Sequence, residues 1–253
     1  MASSYADKQR IQAAQYQAAY HWDTGKPVEH HRYEQMTRML VGEITGHLRE
    51  PAVRVLDFGC GDGRSTYGVW GALRAAGHDC RVIGVDVSHE AIDWARDRTR
   101  EAADESLEFT TGKVENGLAR LEAAAGQPFV VMREVIEHLP EEDIDHAFQA
   151  IATRLPSATL IVSVPSSNSP VEEKHFRHYD AESLRATFER NGFACEPVAG
   201  FGFRPRALYR PLRKLKSRLN RTRGLWRGFN WLWRPIRPAL AMTLVATGTP
   251  RRG

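Results

Sequence analysis

The sequence predicts an α/β domain built on a mostly parallel, seven-stranded sheet whose last strand runs antiparallel. From Val53 onward, short apolar runs alternate with longer amphipathic segments, a pattern typical of parallel strands joined by helices. A glycine-rich turn follows the first run, and a final apolar run, Leu240 to Ala246, predicts the last strand. The chain has 253 residues and is 42% hydrophobic, enough to form the core of one large domain.

The predicted elements follow one another in a regular order. Seven strands are expected at 53–58, 81–85, 107–110, 129–132, 159–164, 194–201 and 240–246. Helices are expected between them at 65–76, 89–103, 114–124, 141–155 and 181–191. Residues 1–50 are polar and helical in pattern, which predicts an N-terminal cap or lid in front of a domain spanning 51–253.

The charge of the chain is unevenly distributed. The formal net charge is +4, yet no Asp or Glu follows Glu196 and 14 of the 35 Lys and Arg residues lie beyond it. Residues 204–238 are rich in Arg and Trp, with leucines at helical spacing, and predict a basic helical insertion before the last strand. This insertion could pack on the domain, lie on an anionic membrane surface, or bind a nucleic acid or sugar substrate.

Composition excludes several protein classes. Three scattered cysteines are too few for a disulfide framework or a zinc site. The first residues lack the pattern of a secretory signal, and no apolar run is long enough to span a bilayer. The sequence therefore predicts a cytoplasmic protein, and it leaves open whether the chain forms a homo-oligomer.

The glycine-rich turn predicts a nucleotide-containing ligand. Asp57 lies near the end of the first predicted strand, and Gly59, Gly61 and Gly63 follow it where a β-carbon would obstruct a close ligand. A dinucleotide fingerprint would place its third glycine at position 64, which is Arg64, so the spacing disfavours NAD.

This pattern resembles the cofactor motif of class I S-adenosylmethionine-dependent methyltransferases, which have a Rossmann-like fold. The resemblance implies that Asp57 faces the cationic methionine end of the cofactor and that Asp86, after the second strand, accepts both ribose hydroxyls. The further residues expected at the cofactor are Val87, Val114, Glu115 and Arg133. Lys113 stands where the family often has an acid near adenine, so that contact is open.

A second group of polar residues follows the fourth strand. Glu134, Glu137 and His138 are spaced so that one helical turn brings them to one side, and His175 and His178 lie in a later loop over the same sheet edge. The pattern resembles the ubiquinone-type and small-RNA 2′-O-methyltransferases, in which a Glu-x-x-Glu-His motif and a later histidine hold a divalent metal.

The resemblance implies Mg²⁺ held by four residues and catalysis by three. The expected metal ligands are Glu134, Glu137, His138 and His178, although His175 would also serve as the later histidine. The expected catalytic residues are Glu137, His138 and His175, with His175 or another unligated histidine as base. A Glu-His pair at this position also occurs in class I methyltransferases that bind no metal, where the carboxylate caps a helix and the histidine acts alone or packs.

Three functions are consistent with these patterns. The first is a Mg²⁺-assisted O-methyltransferase for a sugar or polyol hydroxyl, because the whole chain is also similar to mannoside O-methyltransferases of polysaccharide biosynthesis. The second is an RNA ribose 2′-O-methyltransferase, or a quinol O-methyltransferase without metal. The third is a cofactor-binding or membrane-docked accessory protein without catalytic activity.

Overall fold

The structure is a computed structural model of the chain, and it describes residues 5–19, 21–22, 27–102, 104–204, 207 and 234–251. It contains one sheet with the order β3-β2-β1-β4-β5-β9-β7-β8, and β6 pairs with β9 outside this path. The strands are β1 Ala52–Phe58, β2 Asp79–Asp86, β3 Leu107–Thr111, β4 Gln127–Arg133, β5 Thr159–Pro165, β6 Phe193–Cys195, β7 Ala199–Phe203, β8 Pro235–Ile236 and β9 Ala241–Pro250. The first five strands are mutually parallel, whereas β9 runs antiparallel to β5. The predicted fold class is confirmed.

Helices cover both faces of the sheet. Their bounds are α1 Tyr5–Ala13, α2 Pro27–His47, α3 Arg64–Ala75, α4 His89–Thr99, α5 Val114–Glu122, α6 Glu141–Arg154 and α7 Ala181–Arg190. One core cluster joins α5, α6 and α7 to the sheet, and the other joins α2, α3 and α4 to it. Side chains alternate between the two faces of a strand, so successive residues pack into opposite clusters. In β1, Leu56 packs with α5, α6 and α7, whereas Val55 packs with α2, α3 and α4.

The late part of the sheet differs in detail from the prediction. The single strand expected at 194–201 is two strands, β6 and β7, which pair with successive stretches of β9. Pro197 lies in the interruption, and proline has no N–H with which to continue the ladder. The expected basic insertion at 204–238 lies almost entirely outside the described residues. Within the part of the chain that the structure describes, no helix is long and apolar enough to cross a membrane.

The sheet topology defines where a ligand can bind. Strands β1 and β4 are neighbours, while the chain leaves β1 toward β2 on one side and returns to β4 on the other. In open α/β sheets, ligands bind beyond the carboxyl ends of the strands at such a reversal of strand order. The segments after Phe58, Asp86, Arg133 and Pro165 all leave the sheet at this edge.

Candidate active site

The glycine loop, residues 59–63, requires glycine for conformation and for space. Gly59 and Gly63 have φ values of 74° and 75°, in the left-handed region that residues with a β-carbon rarely adopt. A β-carbon on Gly63 would lie 2.6 Å from the Cβ of Ala95, and one on Gly59 would lie 2.5 Å from a methyl group of Val135. Gly61 is also left-handed, with φ 56°. The loop is therefore closely packed on its inner side.

Asp57 lies at the base of the glycine loop. Its side chain is buried, and its Oδ2 accepts a hydrogen bond of 2.6 Å from the hydroxyl of Thr66 in the first turn of α3. Burial raises the pKa of this carboxyl group to about 6, although the Thr66 hydrogen bond and the charge of Arg133 act in the opposite direction. A cation placed beside Asp57 would favour the ionised carboxylate.

Asp86 ends β2 and connects the glycine loop to the following turn. Its Oδ2 accepts from the backbone N–H of Gly61 at 2.9 Å, and its Oδ1 accepts from the N–H of Ser88, also at 2.9 Å. Burial raises its pKa, while these backbone hydrogen bonds oppose the rise. The adjacent Val87 is 63% exposed, which leaves an apolar side chain at the outer edge of the loop.

Val114 and Glu115, two further residues expected at the cofactor, lie at the start of α5. Val114 is buried at the start of α5. Glu115, expected near adenine, instead forms an ion pair and a hydrogen bond with His146 of α6, and its backbone carbonyl accepts from Arg154. The carboxylate of Glu115 is thus held by the neighbouring helix, and its expected role at the cofactor stays a prediction. A helix-to-helix ion pair is not visible from local sequence spacing.

The N-terminal segment, residues 5–19 and 21–22, contacts the glycine loop. The fully buried Asp62 accepts from the backbone N–H of His21 at 2.7 Å, and its other oxygen lies 2.8 Å from Nδ1 of the same histidine. Trp22 donates its indole N–H to the carbonyl of Asp62 at 2.6 Å. The hydroxyl of Tyr16 lies against Gly61, where a β-carbon would be 2.7 Å away. The segment therefore covers one side of the loop.

The same segment also contacts the loop that carries the later histidines. Lys8 of α1 donates to the backbone carbonyls of Glu173 and His175, at 2.7 and 2.8 Å. The hydroxyl of Tyr5 donates to Asp143 at 3.2 Å, and its ring lies 5.9 Å from that of Phe176. These contacts join α1 to residues 173–176.

Glu134 and Glu137 follow β4, and three of their four carboxylate oxygens lack hydrogen-bond partners among the described residues. Among the described residues, no group hydrogen-bonds either carboxylate oxygen of Glu137, whose side chain is fully buried, and the same holds for Oε1 of Glu134. Glu134 has φ 56°, the left-handed region, and such a conformation costs about 1–3 kcal/mol in a non-glycine residue. Burial, reinforced by the charge of Glu134, raises the pKa of Glu137 well above its ordinary value.

Two histidines lie beside Glu137. One potential ligand atom from each of Glu137, His138 and His175 lies within 4.8 Å of the other two. The rings of His138 and His175 meet edge to face, with their centroids 4.5 Å apart. Burial lowers the pKa of His138 to about 4 and that of His175 to about 2, so both imidazoles are neutral near pH 7. We refer to these three residues as the carboxylate–histidine cluster.

Of the two later histidines, the structure places His175 in the carboxylate–histidine cluster. His178, expected as a metal ligand, is outside the cluster: its Nε2 lies 2.7 Å from Nδ1 of His175 and its Nδ1 lies 2.9 Å from the carbonyl of Ser169. Both of its ring nitrogens are therefore within hydrogen-bond distance of a neighbouring group, while His175 lies beside Glu137 and His138. Glu134, also expected as a ligand, lies near Glu137 but outside the cluster, with its Oε2 3.4 Å from Arg32.

Arg133 lies between the glycine loop and the carboxylate–histidine cluster. Its guanidinium group is 5.3 Å from the ring centroid of Tyr33, and that of Arg64 is 4.9 Å from the same ring. The positive charge of Arg133 acts to lower the pKa of both Asp57 and Glu137. Arg133 thus contributes positive potential to both parts of the edge.

Sequence reasoning did not identify several residues that shape this edge. They are Lys8, His21, Asp62, Thr66 and Ser169. The position of Asp62 between two loop glycines was an available signal, because a buried acid there requires donors from elsewhere. The contacts of Lys8 and His21 join segments far apart in sequence, and local spacing carries no signal for them.

Comparison with known proteins agrees with the architecture of this edge. The fold and the glycine loop define the class of Rossmann-like methyltransferases. A family profile described as a methyltransferase domain matches residues 28–198, more than half of the chain, and the protein belongs to this family. This family membership and the glycine loop support the activity of an S-adenosylmethionine-dependent methyltransferase. Among curated protein sequences, none matches the chain.

Solved structures share the fold at low sequence identity. The small RNA methyltransferase HEN1 aligns with a TM-score of 0.57 and 17% identity over 86% of this chain and 25% of that one. The methyltransferase domain of a bacterial protein, CtHen1-CN, aligns with a TM-score of 0.55 and 17% identity over 85% and 98% of the two chains. An S-adenosylmethionine-dependent methyltransferase from Archaeoglobus fulgidus gives 0.53 and 14% over 84% and 94%. The present chain thus spans about a quarter of the length of HEN1.

Proposed function

We propose that the protein is an S-adenosylmethionine-dependent O-methyltransferase, assisted by a divalent cation, that acts on a sugar or polyol hydroxyl lying next to another oxygen. The observation that carries the proposal is the buried Glu137 carboxylate, which lacks a hydrogen-bond partner among the described residues and lies beside two neutral histidines. A buried charge without a partner is costly, and metal coordination is one of the few arrangements that offsets the cost.

The cofactor would lie along the glycine loop. Asp57 suits the ammonium group of the methionine moiety, because burial makes its ionisation depend on a nearby cation. Asp86 suits the ribose hydroxyls, since each of its oxygens accepts one backbone hydrogen bond and retains a lone pair. The exposed Val87 offers an apolar surface for the adenine ring, and the buried Val114 at the start of α5 is the other apolar residue expected there.

The carboxylate–histidine cluster fits a divalent cation such as Mg²⁺. Glu137 would supply oxygen, which Mg²⁺ prefers, and His138 and His175 would supply nitrogen, a mixed set that Mn²⁺ also accepts. Glu134 would add negative charge beside the cluster. A bound cation acts as a Lewis acid that makes an acceptor hydroxyl easier to deprotonate near neutral pH.

The histidines suit ligation better than general-base catalysis. A general base works best when its pKa lies near the operating pH, and burial holds the pKa values of His138 and His175 at about 4 and about 2. Both therefore keep an available lone pair but bind protons weakly. This favours the metal-assisted mechanism over a metal-free one in which His138 or His175 acts alone.

An RNA ribose is the second candidate acceptor. Two aligned structures are described as a small RNA methyltransferase and a bacterial relative of it, and residues after Glu196 carry 14 of the 35 basic side chains without any acid. A 3′-terminal ribose also presents two adjacent hydroxyls, so the same cluster would serve either acceptor. Binding of RNA would weaken steeply as the salt concentration rises.

Methyl transfer to a panel of acceptors tests both candidates. The panel contains mannosides, other sugars and polyols, quinol-like phenols, and short RNAs with or without a free terminal diol. Each reaction is run as purified, with EDTA, and with Mg²⁺ or Mn²⁺ restored. We expect transfer to a sugar or polyol that EDTA abolishes and metal restores. Methyl transfer that EDTA does not affect would contradict the proposed role of the metal. Preferred methyl transfer to RNA would make an RNA ribose, and not a sugar or polyol, the acceptor.

A further inference from the structure

We infer that His178 is a positioning residue that fixes the tautomer of His175, so that Nε2 of His175 carries a lone pair directed away from the His178 hydrogen bond. The inference rests on the proposed function, because it gives His175 its role as a ligand. It assigns His178 to the support of the cluster and not to contact with a cation or acceptor.

The argument begins at the backbone carbonyl of Ser169. This carbonyl lies 2.9 Å from Nδ1 of His178, and a carbonyl oxygen can only accept a hydrogen bond. Nδ1 of His178 therefore carries the hydrogen. In its neutral form the His178 imidazole has one N–H, so that its Nε2 is then an acceptor.

The second step passes from His178 to His175. Nε2 of His178 and Nδ1 of His175 are 2.7 Å apart, within ordinary hydrogen-bond length. Since the His178 nitrogen is the acceptor, Nδ1 of His175 must donate. Nε2 of His175 is then unprotonated, which is the form that a metal ligand requires.

The far end of this chain is held in place by the sheet. The N–H of Ser169 donates to the carbonyl of Ser166 at 3.1 Å, and Arg204 donates to the Ser169 hydroxyl at 3.1 Å. The hydroxyl of Ser166 in turn donates to the carbonyl of Ala241, at the start of β9. The Ser169 carbonyl is thus a fixed acceptor, and its position depends on strand pairing.

The loop that carries the two histidines is also fixed through its backbone. The N–H of Phe176 donates to the carbonyl of Glu137 at 2.7 Å, and Lys8 donates to the carbonyl of His175. The N–H of Tyr179 donates to the carbonyl of Pro165. With the backbone held on both sides of His178, the remaining freedom of His175 is the orientation and the tautomer of its ring, and its hydrogen bond to His178 selects both.

The ring of His138 is held by a longer contact than the ring of His175. Its Nδ1 lies 3.4 Å from the carbonyl of Lys174, at the outer limit of a hydrogen bond, and its Nε2 lies 4.0 Å from Oε1 of Glu137. Both histidines thus have Nδ1 near a group within the protein, but the contact of His175 is shorter by several tenths of an ångström.

Nitrogen-15 NMR of histidine-labelled, metal-free protein tests the tautomer directly. We expect proton attachment at Nδ1 for both His175 and His178, with Nε2 of each unprotonated. In His178→Phe, which keeps a ring but removes the acceptor, we expect the His175 signals to shift to a mixture of tautomers. His178→Gln, whose amide oxygen can accept from His175, should restore the single tautomer. A proton on Nε2 of His175 in the unmodified protein would overturn the inference.

Metal affinity provides the second measurement, with Mn²⁺ as the probe. We expect His178→Phe to weaken Mn²⁺ binding about 10- to 100-fold, the usual cost of removing a group that orients a ligating histidine. His178→Gln should recover most of the affinity. His47→Phe is the matched control, because His47 also has both ring nitrogens hydrogen-bonded, to Glu43 and Glu196, away from this edge.

The two failures can be told apart. If the unmodified protein binds neither Mn²⁺ nor Mg²⁺ but shows the expected tautomers, the metal part of the proposed function fails and the positioning role of His178 stands. If the protein binds metal and His178→Phe binds it with unchanged affinity, the positioning role is overturned and the proposed function stands.

Discussion

The two parts of the candidate site handle buried carboxylates in opposite ways. In and beside the glycine loop, Asp57, Asp62 and Asp86 each accept hydrogen bonds from nearby hydroxyl or backbone donors. In the carboxylate–histidine cluster, Glu137 accepts none from the described residues. The first part is complete as a protein structure, whereas the second is electrostatically incomplete without a proton or a cation. The comparison teaches that hydrogen-bonded carboxylates and a buried carboxylate without partners indicate different kinds of binding site.

The largest expected effect breaks the cluster. Glu137→Gln should lower turnover about 1,000-fold, because a charged ligand that supports a Lewis acid contributes several kcal/mol to the transition state. Binding of S-adenosylmethionine, measured by calorimetry, should be unchanged. Glu141→Gln on α6, exposed and paired with Arg190, is the control with the same chemical change. Turnover of Glu137→Gln close to that of the unmodified protein would remove Glu137 from the mechanism.

The next effect concerns the glycine loop. Asp57→Asn should weaken S-adenosylmethionine binding about 10- to 100-fold, the value of one charge-assisted hydrogen bond. The pKa of Asp57 is raised to about 6, so its carboxyl group becomes protonated as the pH falls below that value. Affinity should therefore fall between pH 7 and pH 5 in the unmodified protein and stay level in Asp57→Asn. A pH-independent affinity in the unmodified protein would contradict this role. The exposed Asp93→Asn is the control.

Substitutions in the two parts of the site should change the melting temperature in opposite directions. Glu137→Gln should raise the melting temperature of the metal-free protein, because it removes a buried ionisable group whose raised pKa shows that the charged form is disfavoured. Asp86→Asn should lower it, because an amide has one oxygen for two backbone donors. For a chain of this size, a change of 1 kcal/mol in the free energy of unfolding shifts the melting temperature by about 2–4 °C. Shifts of the same sign would undo the contrast.

The smallest effect tests the cover on the glycine loop. His21→Phe keeps the ring but removes the side-chain contact with Asp62, while the backbone hydrogen bond remains. Amide exchange at residues 16–22 should become faster, because the segment loses part of its attachment. Cofactor affinity should change by less than about 10-fold, because the backbone hydrogen bond from His21 to Asp62 still holds the segment on the loop. Unchanged exchange would show that the backbone contact alone holds the segment, and His47→Phe again serves as control.

The sequence predicted the glycine loop more fully than the cluster, for a physical reason. Strand β1, the turn and α3 are contiguous, so their geometry follows from local steric rules, and Asp57 and Asp86 lie where strand ends place them. The choice between His175 and His178 depends instead on a loop whose path is set by contacts with β9 and α1. Neither contact has a local signature. The pairing of Glu115 with His146 was missed for the same reason.

The N-terminal segment has a thermodynamic consequence. Through Lys8 it is hydrogen-bonded to the backbone of the histidine loop, and through His21 to Asp62 in the glycine loop. A ligand that displaced one loop would therefore also strain the attachment of the segment to the other loop, and binding at the two ends of the edge would then be coupled in free energy. Such coupling is reciprocal: the factor by which an acceptor tightens the cofactor equals the factor by which the cofactor tightens the acceptor.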